Sequence, residues 1–151
     1  MTIDMAEVGF AVRLLLAAIL GAAIGLEREI HDHPAGMRTH LLVAMGSAAF
    51  TVLSISAFPA PGSDPARVAA QIVTGIGFLG AGAILKEGVS IHGLTTAASL
   101  WVAAALGMAA GAGAWVTAVT ITIITVVSLW PLRVVADRFV RRNRVSRNRV
   151  D

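Results

Sequence analysis

The sequence predicts an all-α polytopic membrane protein, a bundle of five transmembrane helices, and three observations predict it. The first is composition: of 151 residues, 56% are hydrophobic and 14% charged, with a mean hydropathy of +0.78. A soluble domain is about 45–50% apolar and about 25% charged. The second is blocking. The apolar residues gather into runs at 8–26, 41–58, 68–85, 95–110 and 114–135, and a span needs roughly 17–25 residues to cross a core about 30 Å thick. The third is the punctuation between runs: residues 31–36 with Pro34, 59–65 with Pro59, Pro61 and Pro65, 86–93 with Lys86 and Glu87, and the glycine-rich 111–113. Breaks this short predict antiparallel, closely packed neighbours.

Composition also excludes. The chain has no cysteine, so disulfide frameworks and thiolate metal sites are out. Seven of the 12 basic residues are arginines between Arg133 and Arg149. They set the high isoelectric point, and the rest of the chain is close to neutral. Such a tail adheres to anionic headgroups at about 1 kcal/mol per charge, and no nucleic-acid partner is expected. Asp4 and Glu7 precede the first apolar run with no basic segment, so that run is expected to be a retained span rather than a cleaved signal. The basic tail, with Arg28, Arg38 and Lys86, predicts an N-out, C-in topology by the excess of positive charge inside. Arg13 and Arg67 oppose that rule. The expected organisation is a membrane domain over residues 1–135 and a basic cytoplasmic tail over 136–151.

The spans differ in their faces, read at about 100° per residue. In the first, Ala17, Gly21, Gly25 and Arg28 form one stripe, and Gly21 and Gly25 would admit a second backbone closely. Glu27 and Glu29 point to nearly opposite sides of a regular helix, so Glu27 is expected to pair with Arg38 or with loop residues. The second span aligns His40, Ser47, Thr51 and Ser54. Such hydroxyls either line a hydrophilic path or bond to nearby carbonyls and knit helices together. The third carries GIGFLGAG, which matches the dinucleotide pattern GxGxxG. That fingerprint needs a strand, a turn and a downstream acid, and here it lies inside an apolar run. Its Gly75, Gly77, Gly80 and Gly82 fall on two faces, which predicts a helix crowded on both sides at the centre of the bundle. A bend exposing carbonyls to a cation is the competing reading. In the fourth, Thr96, Ser99, Ala103 and Gly107 form a small, weakly polar stripe, with Thr95 beside it as a cap or a wall of a polar cavity. The fifth is rich in Val, Ile and Thr and reads as peripheral, with Trp115 and Trp130 at its two ends.

The segments GLEREIHDHPAGMRTHLLVAMGSAAF, QIVTGIGFLGAGAILKEG and GLTTAASLWVAAALG resemble the MgtC/SapB family of bacterial membrane proteins, in order and spacing. The signature residues fall on Gly25 to Glu29, on Ala35, Gly36, Arg38, Thr39 and His40, and on Gly93 to Ala98. The resemblance implies a multi-pass protein of the bacterial inner membrane, linked to magnesium limitation and, in some pathogens, to survival in host cells. Longer members carry a soluble ACT-like C-terminal domain, and this chain resembles either a short member without it or a truncated piece of a longer one.

Two functional classes follow. One is transport or binding of an ion, with Mg2+ as ligand or cargo and no other cofactor. Glu27, Glu29, Asp32 and Glu87 supply hard oxygen ligands at the inner side, Glu27 and Glu29 being the metal candidates. Yet all 9 acidic residues lie in loops, tails or span ends, unlike the buried acids of pumps. The other is a regulatory protein that docks through glycine-rich faces on a membrane complex such as an ATPase or a transporter. Besides the lipid bilayer, a second copy of the chain and another membrane protein are the partners to consider. No nucleophile–base pair stands in a suitable context, so an enzyme is not expected. The candidate site is a polar cluster at the cytoplasmic end: Glu27, Arg28, Glu29, Arg38, Thr39, His40, Thr95 and Thr96. Gly21, Gly25, Gly75, Gly77, Gly80, Gly82 and Gly107 are the expected packing glycines.

Overall fold

A computed structural model describes residues 5–57, 64 and 66–130, apart from the side chain of Glu87. The arginine tail and the expected boundary at 135/136 lie outside the described residues. Among them are five helices: α1 (Met5–Ile30), α2 (Met37–Ser56), α3 (Ala66–Gly82), α4 (Leu94–Gly111) and α5 (Trp115–Leu129). The all-α membrane bundle stands. The helices α1, α2 and α4 are long and apolar enough to cross a bilayer, while α3 and α5 are shorter, at 17 and 15 residues.

The element bounds correct the sequence in two places. At 26 residues α1 runs past the expected end at 26 through Glu27, Arg28 and Glu29. Its length is roughly 39 Å at about 1.5 Å per residue, so the charges ride on its last turn. Asp32, with φ 55, ends it. His33 N–H bonds to the Arg28 carbonyl at 3.0 Å and Asp32 N–H to that of Glu29 at 3.1 Å, the paired closure of a helix ending on a left-handed residue. Second, α3 stops at Gly82, and Leu85 belongs to a small antiparallel hairpin of β1 (Leu85–Glu87) and β2 (Ser90–His92). The loop expected after residue 85 is this hairpin.

The centre of the bundle is α4. It touches all four other helices, whereas α3 rests on α4 and more lightly on α2. The close approaches explain why. A Cβ on Gly107 would run into the Ala44 carbonyl oxygen, and one on Gly111 would lie 2.6 Å from that of Ala48. On the other side of α2, a Cβ on Gly21 would sit 2.7 Å from the His40 carbonyl and one on Gly25 would sit 2.5 Å from Met37 Cα. Helices α1, α2 and α4 thus meet nearly backbone to backbone, around Ala17, Ile24, Ala44, Ala48, Ala103 and Leu106.

The expectation that the third span is central fails on the same measure. A Cβ on Gly80 would lie 3.7 Å from Ala97 Cβ, but one on Gly75, Gly77 or Gly82 would meet nothing within 4 Å among the described residues. In α3 only Ile76 and Gly80 are buried. Glycine density records permission for close approach, and here three of the four permissions go unused inside the bundle.

At the opposite end from the charged turn, Arg13 donates from Nη1 to the Gly111 carbonyl at 2.9 Å, and its guanidinium lies 5.7 Å from the Phe10 ring centroid. A cation here satisfies the last carbonyls of α4 and opposes the negative end of its dipole. Arg13→Ala is expected to lower stability by about 1 kcal/mol, read as an earlier midpoint of detergent-induced unfolding.

Candidate functional site

The end of α1 and the starts of α2 and α4 converge on one buried polar group. Glycine builds the corner. Gly25 lets the Gly36–Met37 backbone lie against α1, and Gly36 leaves room for Glu29, whose Oε2 would stand 2.7 Å from a Cβ there. That Glu29 oxygen accepts the Met37 N–H at 2.8 Å, satisfying one of the free donors in the first turn of α2. Glu29 therefore ties α2 to α1 while staying exposed on its solvent side.

Within the corner lies His40, fully buried. Its Nδ1–H donates to the Gly36 carbonyl at 3.0 Å, because a carbonyl can only accept. Its Nε2 lies 2.9 Å from Ser99 Oγ, and that oxygen is also 2.8 Å from the Thr96 carbonyl. Ser99 has one hydroxyl hydrogen, so it serves one of these two partners at a time. From α1, Arg28 donates through Nη2 to Thr96 Oγ1 at 3.0 Å. Arg28, Thr96 and Ser99 are all at least 97% buried. A polar chain thus runs from α1 through α4 to α2 across the tightest part of the bundle.

Glu27 is the odd member. It is 8% exposed, and neither of its carboxyl oxygens has a hydrogen-bond partner among the described residues. His31 Nδ1 lies 3.2 Å from Oε1 but is closer, at 2.8 Å, to the Glu27 backbone carbonyl. We assign its hydrogen to that carbonyl, which leaves the carboxyl with an electrostatic contact only. A buried acceptor without a donor is costly.

The structure therefore brings Glu27, Arg28, His40 and Thr96 together and places Glu29 at their edge. Arg38, Thr39 and Thr95 are exposed and stand outside. The contact of Glu27 is with His31 in the turn rather than with Arg38, since successive positions of α2 turn Arg38 outward while His40 turns in. Residues that sequence reasoning left out of the cluster are Ser99, one turn beyond Thr96 on the same stripe, and His31, four residues after Glu27. Their helical spacing was the available signal. No group of three or more His, Asp or Glu side chains suited to a metal ion occurs among the described residues.

These elements coincide with blocks of a known family. The MgtC family matches residues 14–138, which take in every one of these side chains. The chain belongs to the MgtC family. Among curated MgtC-family relatives, Escherichia coli K12 YhiD, whose name provisionally makes it a magnesium transporter, is 43% identical over 140 residues, covering 89% of this chain and 65% of that protein. MgtC of Salmonella typhimurium LT2 is 46% identical over 129 residues, covering 85% of this chain and 54% of its own. MgtC of Brucella abortus is 55% identical over 97 residues, 64% of this chain and 40% of its own. The chain thus spans between about two fifths and two thirds of the length of these relatives. No solved structure matches this sequence.

Proposed function

We propose that this protein is a non-transporting, non-enzymatic regulator in magnesium homeostasis, seated in the bacterial inner membrane with the polar corner toward the cytoplasm. One observation carries the choice of regulation over transport. The polar stripe of α2, the best candidate for a path, is closed by α4, with Gly107 against the Ala44 carbonyl and Gly111 against that of Ala48. The hydroxyl of Thr51 on that stripe bonds to the Ser47 carbonyl of its own helix at 2.8 Å. A seam filled by backbone holds no column of water. The magnesium link is supported by the relatives' names, and the inner membrane by the apolar helical bundle, since outer-membrane spans are barrels. The topology rests on the positive charges of the C-terminal tail, with Arg28, Arg38 and Lys86.

One observation favours ion binding as a second reading. The Glu27 carboxyl is buried, its acceptors unmet among the described residues, and Mg2+ is commonly held by one or two carboxylates while keeping several waters. The deciding experiment is Mg2+ flux into proteoliposomes, for the parent chain and for Glu27→Gln. We expect flux no greater than in protein-free liposomes from both, with folding checked by circular dichroism. Flux from the parent that disappears in Glu27→Gln would overturn regulation in favour of transport.

A further inference from the structure

Between α3 and α4 the chain reads AILKEGVSIHG, and it makes the hairpin that the sequence pattern did not announce. Its strands pair Leu85 with His92, Lys86 with Ile91 and Glu87 with Ser90. Gly88, at φ 61, takes the first of two turn positions, where a tight hairpin favours glycine. The base is pinned: Gly93 adopts φ 85, and a Cβ on it would strike the Ala83 carbonyl. Only Ala83 and Ile84 separate the hairpin from α3, and Gly93 alone separates it from α4.

The surface of this hairpin is unusual for a loop in water. Val89 at the turn is fully exposed, and Leu85 and Ile91 are 58% and 54% exposed, with Ile84 and Leu94 open beside them. Two constraints then act against each other. A two-stranded sheet has two unpaired edges, whose N–H and C=O groups cannot be satisfied in hydrocarbon. The hairpin therefore stays out of the bilayer core. Its apolar side chains equally disfavour bulk water. Its strands are roughly 10 Å long at about 3.4 Å per residue, and each headgroup layer is roughly 5–7 Å thick. Standing upright, it would push Val89 through the headgroups into water. Lying along the membrane with the face shared by Lys86 and Ile91 toward the bilayer, it keeps its edges hydrated and puts Ile91, with Val89 at the turn, in lipid.

We propose that the hairpin of residues 85–92 is a membrane-interface anchor, lying in the boundary between headgroups and acyl chains at the same end of the bundle as the buried polar corner. Val89 and Ile91 contact acyl chains, while Leu85, paired with His92 on the other face, does not. Lys86, opposite Ile91, lays its methylene stem along the same layer and extends its ammonium to the phosphates. The occupant of this apolar surface is lipid, because both ends of the hairpin are tethered within one or two residues to the apolar helices α3 and α4.

The cysteine-free chain makes the test clean. Val89→Cys and Ile91→Cys, each carrying one nitroxide, are reconstituted in vesicles of phosphatidylethanolamine and phosphatidylglycerol, with Phe78→Cys on the exposed face of α3 as a lipid reference. Collisional relaxation by oxygen and by a water-soluble nickel chelate is then compared, with helicity of each variant confirmed by circular dichroism. The expected result is an oxygen-to-nickel ratio at both sites several-fold above that of a free nitroxide in buffer and below that at Phe78→Cys. A ratio equal to the buffer value at both sites overturns the proposal. Labels shielded from both reagents and immobilised overturn it as well, in favour of a second copy of the chain covering the hairpin.

Discussion

Gly107→Ala is expected to lower stability by about 1–3 kcal/mol, the usual range for overpacking a well-filled core. Two effects compete. In an exposed helix the same change would gain about 1 kcal/mol from helix propensity. Here the new methyl meets the Ala44 main-chain oxygen and lies 2.9 Å from Ser47 Cβ. Main chain in the middle of α2 cannot swing aside as a long side chain can, so α2 and α4 must separate. Separation reaches further than the methyl, because the His40–Ser99 contact spans the same two helices. Gly77→Ala is the control: among the described residues nothing lies within 4 Å of a Cβ there, and stability should be unchanged or slightly higher. Detergent-induced unfolding in mixed micelles, followed by circular dichroism, compares the two. Equal midpoints for Gly107→Ala and the parent would mean that α2 and α4 do not approach as described.

That contrast also shows where sequence reading reaches and where it stops. The α1–α2 corner was legible because its residues are chemically odd. Gly25, Gly36 and a charged turn interrupted by Pro34 have few alternative uses beside an apolar run. The identity of the central helix was not legible. A glycine in a membrane helix states that another backbone could approach, and the rotation and neighbours of the helix decide whether one does. In α4 both Gly107 and Gly111 are closely approached by α2, while in α3 three of four glycines face no neighbour among the described residues. The hairpin was invisible for a different reason: three-residue strands are too short to show a period of two. Within the cluster, His40 was picked out by its chemistry. Ser99 needed the register of α4 against α2, which no single-chain pattern contains.

His40→Ala should produce the other large loss, about 2–4 kcal/mol. The imidazole is fully buried and bonded at both ends, so its removal combines a cavity with a hydroxyl deprived of a partner. The direct pair is the smaller part. Interhelical hydrogen bonds in membranes average about 0.6 kcal/mol and reach about 1.7 kcal/mol, so a double-mutant cycle with Ser99→Ala should return a coupling well below the loss from His40→Ala alone. A coupling as large as the whole loss would place the stability in the hydrogen bond and leave the cavity none. Arg38→Ala and Thr39→Ala, neighbours of His40 in sequence but exposed, should stay within about 0.5 kcal/mol of the parent. Glu27→Gln separates the roles within the same corner. Its carboxyl accepts no hydrogen bond among the described residues, so the isosteric amide removes no donor–acceptor pair, and stability should hold. Any defect of Glu27→Gln in cells short of magnesium would then report a lost ligand or partner contact rather than a loosened fold, whereas the same defect in His40→Ala would report both.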